Sequence, residues 1–105
     1  MNELTITVNQ RGPSSCRYIL SGRISSVEAN TLQFELEEAL RSGCLRFVLN
    51  MRQVSFLSSG GIRVLLMIYK KAKGRGGSFH LEDPSENVIN VLGLTALEDM
   101  LLEKG

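Results

Sequence analysis

The sequence predicts a single α/β domain spanning residues 1–105, with a mixed, mostly parallel β-sheet, an N-terminal hairpin and about four helices packed on the sheet. Three observations predict it. Two short stretches near the N-terminus alternate apolar and polar residues, as half-buried strands do. Two later stretches carry apolar stripes at helical spacing. Between and after those stripes lie short apolar runs, and strands separated by helices imply crossover connections and parallel neighbours.

The elements follow in order. Leu4, Ile6 and Val8 alternate with Thr5, Thr7 and Asn9, a strand. Arg11-Gly12-Pro13-Ser14-Ser15 reads as a turn, and Cys16, Tyr18 and Leu20 resume the alternation, so these two strands form a hairpin ended by Gly22. Ser25 with Glu28 three residues on is a capping-box pattern. Behind it Ala29, Leu32, Leu36, Ala39 and Leu40 form the apolar stripe of a helix that Gly43 stops.

Leu45 to Met51 is a mostly apolar run, as in an interior strand covered on both faces. Val54-Ser55-Phe56-Leu57 leads to Ser58-Ser59-Gly60-Gly61, and a second helix follows with Ile62, Leu65, Leu66, Tyr69 and Ala72 on its stripe. Lys70, Lys71 and Lys73 end it with charges that complement the helix dipole. Ser78 to Glu82 is a short strand. Asp83 as cap, Pro84 in the first turn and Glu86 as capping-box acid begin a short helix that stops at Gly93. Thr95 and Glu98 repeat the capping box for a last helix containing Leu97, Met100 and Leu101.

Composition narrows the function. Apolar residues are 43% of 105 and charged residues 22%, an ordinary globular balance. A formal net charge of +1 is too balanced to suggest electrostatic nucleic-acid binding across a whole face. No apolar run approaches the ~20 residues that span a bilayer, and the N-terminus has no signal-peptide pattern, so a cytoplasmic protein is expected. Cys16 and Cys44 have no metal-like spacing and read as small apolar residues. His80 is the only histidine, and no catalytic or nucleotide-binding motif is present. No cofactor, metal site or catalytic centre is expected.

The informative segment is Val54 to Leu66, a strand running through a serine- and glycine-rich turn straight into a helix. The first N–H groups of a helix lack intrahelical partners, so an anion there gains hydrogen bonds and a favourable dipole. A phosphate on Ser59 would be tolerated by the fold, and its charge would fall on any partner docked over the turn. The plainer reading of the spacing is that Ser58 or Ser59 caps the helix, a role serine fills commonly.

Ser58-Ser59-Gly60-Gly61-Ile62 resembles the signature of the STAS-domain anti-sigma factor antagonists, in which a strand enters an Asp-Ser-Ser/Thr/Ala-Gly-Leu turn at a helix start. Ser59 then stands at the phosphorylated serine and Ser58 at the usual aspartate. Leu20-Ser21-Gly22-Arg23-Ile24-Ser25 looks like the family's second strand with its Gly-Glu-Leu/Ile-Asp ending, and Lys73-Gly74-Arg75-Gly76-Gly77 like the exit from the helix after the phosphosite. Val91 to Leu97 looks like the family's Leu-x-Leu-Thr-x-Leu close.

The resemblance implies a fold and a function. A family member binds an anti-sigma factor that is also a serine kinase of the GHKL type, releases it on phosphorylation, and is restored by a PP2C-type phosphatase. Ser59 is the implied phosphoacceptor, with Ser58 the second candidate. The implied partner surface comprises Ser25, Ser58, Ser59, Gly60, Gly61 and Arg63. Two departures remove negative charge from it: Ser58 replaces the aspartate, and Arg23 and Ser25 replace the acidic pair after Gly22. The alternatives are a STAS scaffold that is not phosphorylated, in another partner-switching pathway or a lipid-transport ABC complex, and a small enzyme or nucleotide-binding protein.

Overall fold

The computed structural model describes residues 4–95. The chain order is β1 (Thr5–Arg11), β2 (Ser15–Ile24), α1 (Ser26–Arg41), β3 (Arg46–Leu57), α2 (Ser59–Gly74), β4 (Ser78–Glu82) and α3 (Glu86–Thr95). The strands form one sheet in the order β1-β2-β3-β4. β1 pairs antiparallel with β2, and the β2–β3 and β3–β4 pairs are parallel. The expected hairpin and mixed sheet are both present. The expected last helix around Leu97, Met100 and Leu101 lies outside the described residues.

Both parallel connections step the same way across the sheet. Right-handed crossovers that advance in one direction place their helices on one face, and α1 and α2 pack against each other there. Among the described residues α1 and α2 therefore cover one face of the sheet, and the residues of β3 on the other face are less buried than its apolar run suggested. Phe47, Leu49 and Met51 are buried while Val48 and Asn50 are only half-buried. Polar side chains occupy the second face: Arg17 pairs with Glu82, and Asn50 Nδ2 donates to Glu82 at 3.0 Å.

The core lies between sheet and helices. All five stripe residues expected on α1 are buried, and Leu32 and Leu36 are fully so; each such leucine contributes about 1.5–3 kcal/mol. On α2 the buried face is Gly61, Ile62, Val64, Leu65, Ile68 and Ala72, and Tyr69 sits at its edge against the Phe79 ring, 6.5 Å between centroids. Gly43 follows α1 with φ 105°, the left-handed backbone that ends a helix cheaply only at glycine. Cys16 and Cys44 are buried and free. Burial first, then the adjacent Cys16 thiol, pushes the Cys44 thiol up to about 12, so it stays protonated.

Three boundaries differ from expectation. Gly22 does not end its strand: it sits inside β2 with φ 108°, at a break in the β2–β3 register. The ladder loses step twice, between Ile19 and Ser21 and between Gly22 and Arg23, and each time β3 carries one extra residue. These are β-bulges, and they continue β3 to Leu57, where its buried positions change spacing from two residues to three. Asp83 is not the cap of α3. Its φ of 52° turns the chain, and Ser85 caps instead, accepting the Val88 N–H at 3.3 Å and donating to the Val54 carbonyl at 2.6 Å. Gly93 lies within α3 and does not stop it.

Candidate functional site

The C-terminal ends of β2 and β3 lead directly into α1 and α2, so both helix starts lie on one rim of the sheet. At the second start Ser58 is extended, with φ −81° and ψ 167°, and its N–H donates to the Ile24 carbonyl at 2.9 Å. That bond ties the turn to the end of β2. Ser58 Oγ accepts the Gly61 N–H at 3.1 Å, and the Ser58 carbonyl accepts the Ile62 N–H at 3.0 Å. Of the two serines left open as caps by the sequence, Ser58 fills the role and Ser59 is the exposed first residue of α2.

The two glycines behind Ser59 do different work. A Cβ on Gly61 would lie 2.7 Å from Leu57 Cδ1 and 2.9 Å from Ile24 Cγ2, so its missing side chain lets α2 sit down on the strand ends. A Cβ on Gly60 would meet nothing closer than 3.7 Å. Gly60 instead helps leave room for a groove between α1 and α2, of about 340 Å³. Ser59, Gly60 and Arg63 line one side of it, and Ser26, Asn30 and Gln33 the other. Ala29, Val64 and Met67 add apolar lining.

Of the residues expected at the site, Ser59, Gly60 and Arg63 therefore share the groove, with Ser58 as the cap and Gly61 packed beneath. Ser25 is not among the lining residues. It is the N-cap residue of α1, but the capping box there is only half made. The Ser25 hydroxyl donates to the Glu28 carboxylate and accepts no backbone N–H. That bond, then backbone N–H donors, holds the Glu28 carboxyl below the usual range. Arg23, at the position of a family acid, lies over the Phe56 ring at 4.3 Å.

At the far end of the helix pair, Lys71 Nζ donates to Glu37 at 3.0 Å and holds that carboxyl below its ordinary range. The Arg75 guanidinium donates to the Leu40 carbonyl at 3.4 Å, in the last turn of α1. These basic residues join α2 to α1 as well as complementing the α2 dipole.

The family model of the STAS domain matches residues 6–104. The chain belongs to the STAS domain family. The anti-sigma-B factor antagonist of Bacillus subtilis (strain 168) is 32% identical over 83 residues, which are 78% of this chain and 74% of that protein. Among solved structures, the anti-sigma factor antagonist SpoIIAA in its unphosphorylated form superposes with a TM-score of 0.83 at 16% identity, covering 96% of this STAS domain and 89% of that chain. The Bacillus cell fate determinant SpoIIAA in the phosphorylated form gives 0.75 at 15% identity, covering 96% and 92%. At those identities the two superpositions establish the fold.

Sequence reading missed the α1 side of the groove in this STAS domain. Ser26, Asn30 and Gln33 recur at helical spacing beside the apolar stripe, uncharged on a helix whose other polar positions are largely acidic. That neutral row was the available signal. Among the described residues no helix is long and apolar enough to cross a membrane, and no group of three metal-binding side chains occurs.

Proposed function

We propose that this STAS domain is an anti-sigma factor antagonist that acts by partner switching, with Ser59 as the phosphoacceptor. The observation that carries the reading is the exposed Ser59 hydroxyl at the first position of α2, on the groove and next to a serine already committed as the cap. Similarity to the Bacillus subtilis antagonist supports the pathway class. The unmodified protein docks an anti-sigma factor, a serine kinase of the GHKL type, over the α1–α2 rim. Phosphorylation adds about −1.5 to −2 charges at neutral pH and expels that partner. A PP2C-type phosphatase restores the binding form in the cytoplasm.

The fold itself accepts the phosphate. The first turn of α2 contains no acidic residue. Ser58 occupies the Gly61 N–H, leaving the Ser59 and Gly60 N–H groups, which a helix cannot pair internally. A negative group there gains about 0.3–1 kcal/mol from the dipole. The partner surface is Ser59, Gly60 and Arg63 with the helix starts around them, and its missing acids select a kinase whose docking face differs in charge.

The test is direct. Incubation with the kinase and ATP followed by mass-spectrometric mapping should find phosphate on Ser59. A protein that binds the kinase but is modified at neither Ser59 nor Ser58 is a scaffold, and the switch is then wrong. Ser59→Asp should weaken kinase binding roughly tenfold or more, about 1.4 kcal/mol, with the thermal midpoint little changed.

A further inference from the structure

We propose that Arg63 receives the phosphate carried by Ser59 and holds it inside the α1–α2 groove, so that the modified protein fills its own docking site. The inference rests on the reading of Ser59 as phosphoacceptor and adds what the phosphate does once attached.

Three observations carry it. Ser59 and Arg63 are four residues apart on α2, which puts their Cβ atoms about 5–6 Å apart on one helix face. Both line the same groove, and no acidic side chain lines it with them. Among the described residues Arg63 is exposed and has no ion-pair partner. Of the charged groups on the packed elements, Glu28 of α1 is held by Ser25, Glu37 of α1 by Lys71 of α2 and Glu38 of α1 by Arg41, and Arg23 of β2 lies over Phe56 of β3. Lys70 of α2 lines a neighbouring pocket with Arg63 and adds a second positive charge on that side. Arg63 is thus the uncommitted cation on the groove.

A guanidinium and a phosphate make short, paired, charge-assisted hydrogen bonds. Seated on Arg63, the phosphate occupies the groove whose other side is lined by Ser26, Asn30 and Gln33 of α1. Partner release then has two components. One is charge repulsion, which salt screens. The other is occupation of the groove, which salt affects far less.

The measurement is a phosphorus NMR titration of protein carrying phosphoserine installed at position 59 by genetic code expansion. The phosphate second pKa, ordinarily about 6, should fall by roughly half a unit or more in the native background, and most of that fall should vanish in Arg63→Gln. Arg63→Lys should restore part of it. Equal values in the native and Arg63→Gln proteins would overturn the inference, because any shift would then come from the helix start alone. Unmodified Arg63→Gln should keep the native thermal midpoint, since the side chain is exposed. Because no kinase is used, the outcome stands apart from the phosphate-mapping experiment. A shift that depends on Arg63 beside a Ser59 that no kinase modifies leaves the clamp standing and removes the switch; the reverse result does the opposite.

Discussion

The helix starts of α1 and α2 are built alike and finished differently. Each follows a parallel strand, each begins after an extended serine, and the two lie on one rim. At α1 the chain supplies its own anion: Glu28 lies over the first turn and is held by Ser25. At α2 no acid is present, Ser58 makes a neutral cap, and two glycines follow it. One helix start is internally neutralised and the other is left able to accept charge. That asymmetry is why a phosphate suits Ser59 and would not suit the α1 start, where it would meet Glu28.

The sharpest way to break the comparison is at the glycines. Gly61→Ala should cost about 1–3 kcal/mol, because its Cβ is driven against Leu57 and Ile24 in a packed core. Gly60→Ala should be neutral or stabilise by up to about 0.5 kcal/mol, by reducing the freedom of the unfolded chain at a site with space. Chemical denaturation of the pair reads the difference, and equal losses would mean that Gly60 is also under contact.

The caps give the next largest effect. Ser58→Ala removes a side-chain acceptor from the Gly61 N–H and should cost about 1 kcal/mol. Ser25→Ala removes no such bond and should cost only a few tenths of that. If the two losses match in thermal melts, the two starts are not finished differently.

Acid should reveal the smallest effect. The folded-state pKa of Glu28 is depressed, so its contribution is present above the unfolded carboxyl value of about 4.3 and is lost as pH falls through the folded value. Glu28→Gln should flatten that part of the stability profile below about pH 4.3. Glu37 and Glu82 are depressed in the same direction by hydrogen bonds from Lys71 and Asn50, so a slope remains in the variant. An unchanged slope would mean that Glu28 does not contribute to the acid sensitivity.

Much of this was legible beforehand where one periodicity governed a long segment. The α1 stripe and the β4 alternation of Phe79, His80 and Leu81 follow the sequence pattern residue for residue. Boundaries that depend on a distant partner were not legible. Gly22 looks like a terminator, yet it serves a bulge whose position is set by pairing with β3. Asp83 and Ser85 are both good caps, and the contact of Ser85 with the Val54 carbonyl decides between them. At the site, the Ser58–Gly61 turn was readable, whereas the α1 side of the groove arises only when two helices pack. The lack of an ion-pair partner for Arg63 likewise depends on where Glu28 and Glu37 are held.

The bulges of β3 have a last consequence. From Ser15 to Ile24 the second strand counts ten residues, while its neighbour counts twelve from Arg46 to Leu57. The two surplus residues act as a phase correction, so that Leu57 arrives pointing inward when Ser58 reaches the Ile24 carbonyl. Deleting either one would reverse the parity of everything after it. Leu57 would face water, and the Ser58 N–H that ties the turn to the end of β2 would no longer meet the Ile24 carbonyl. The address of the proposed phosphoacceptor is written in the length of the strand before it.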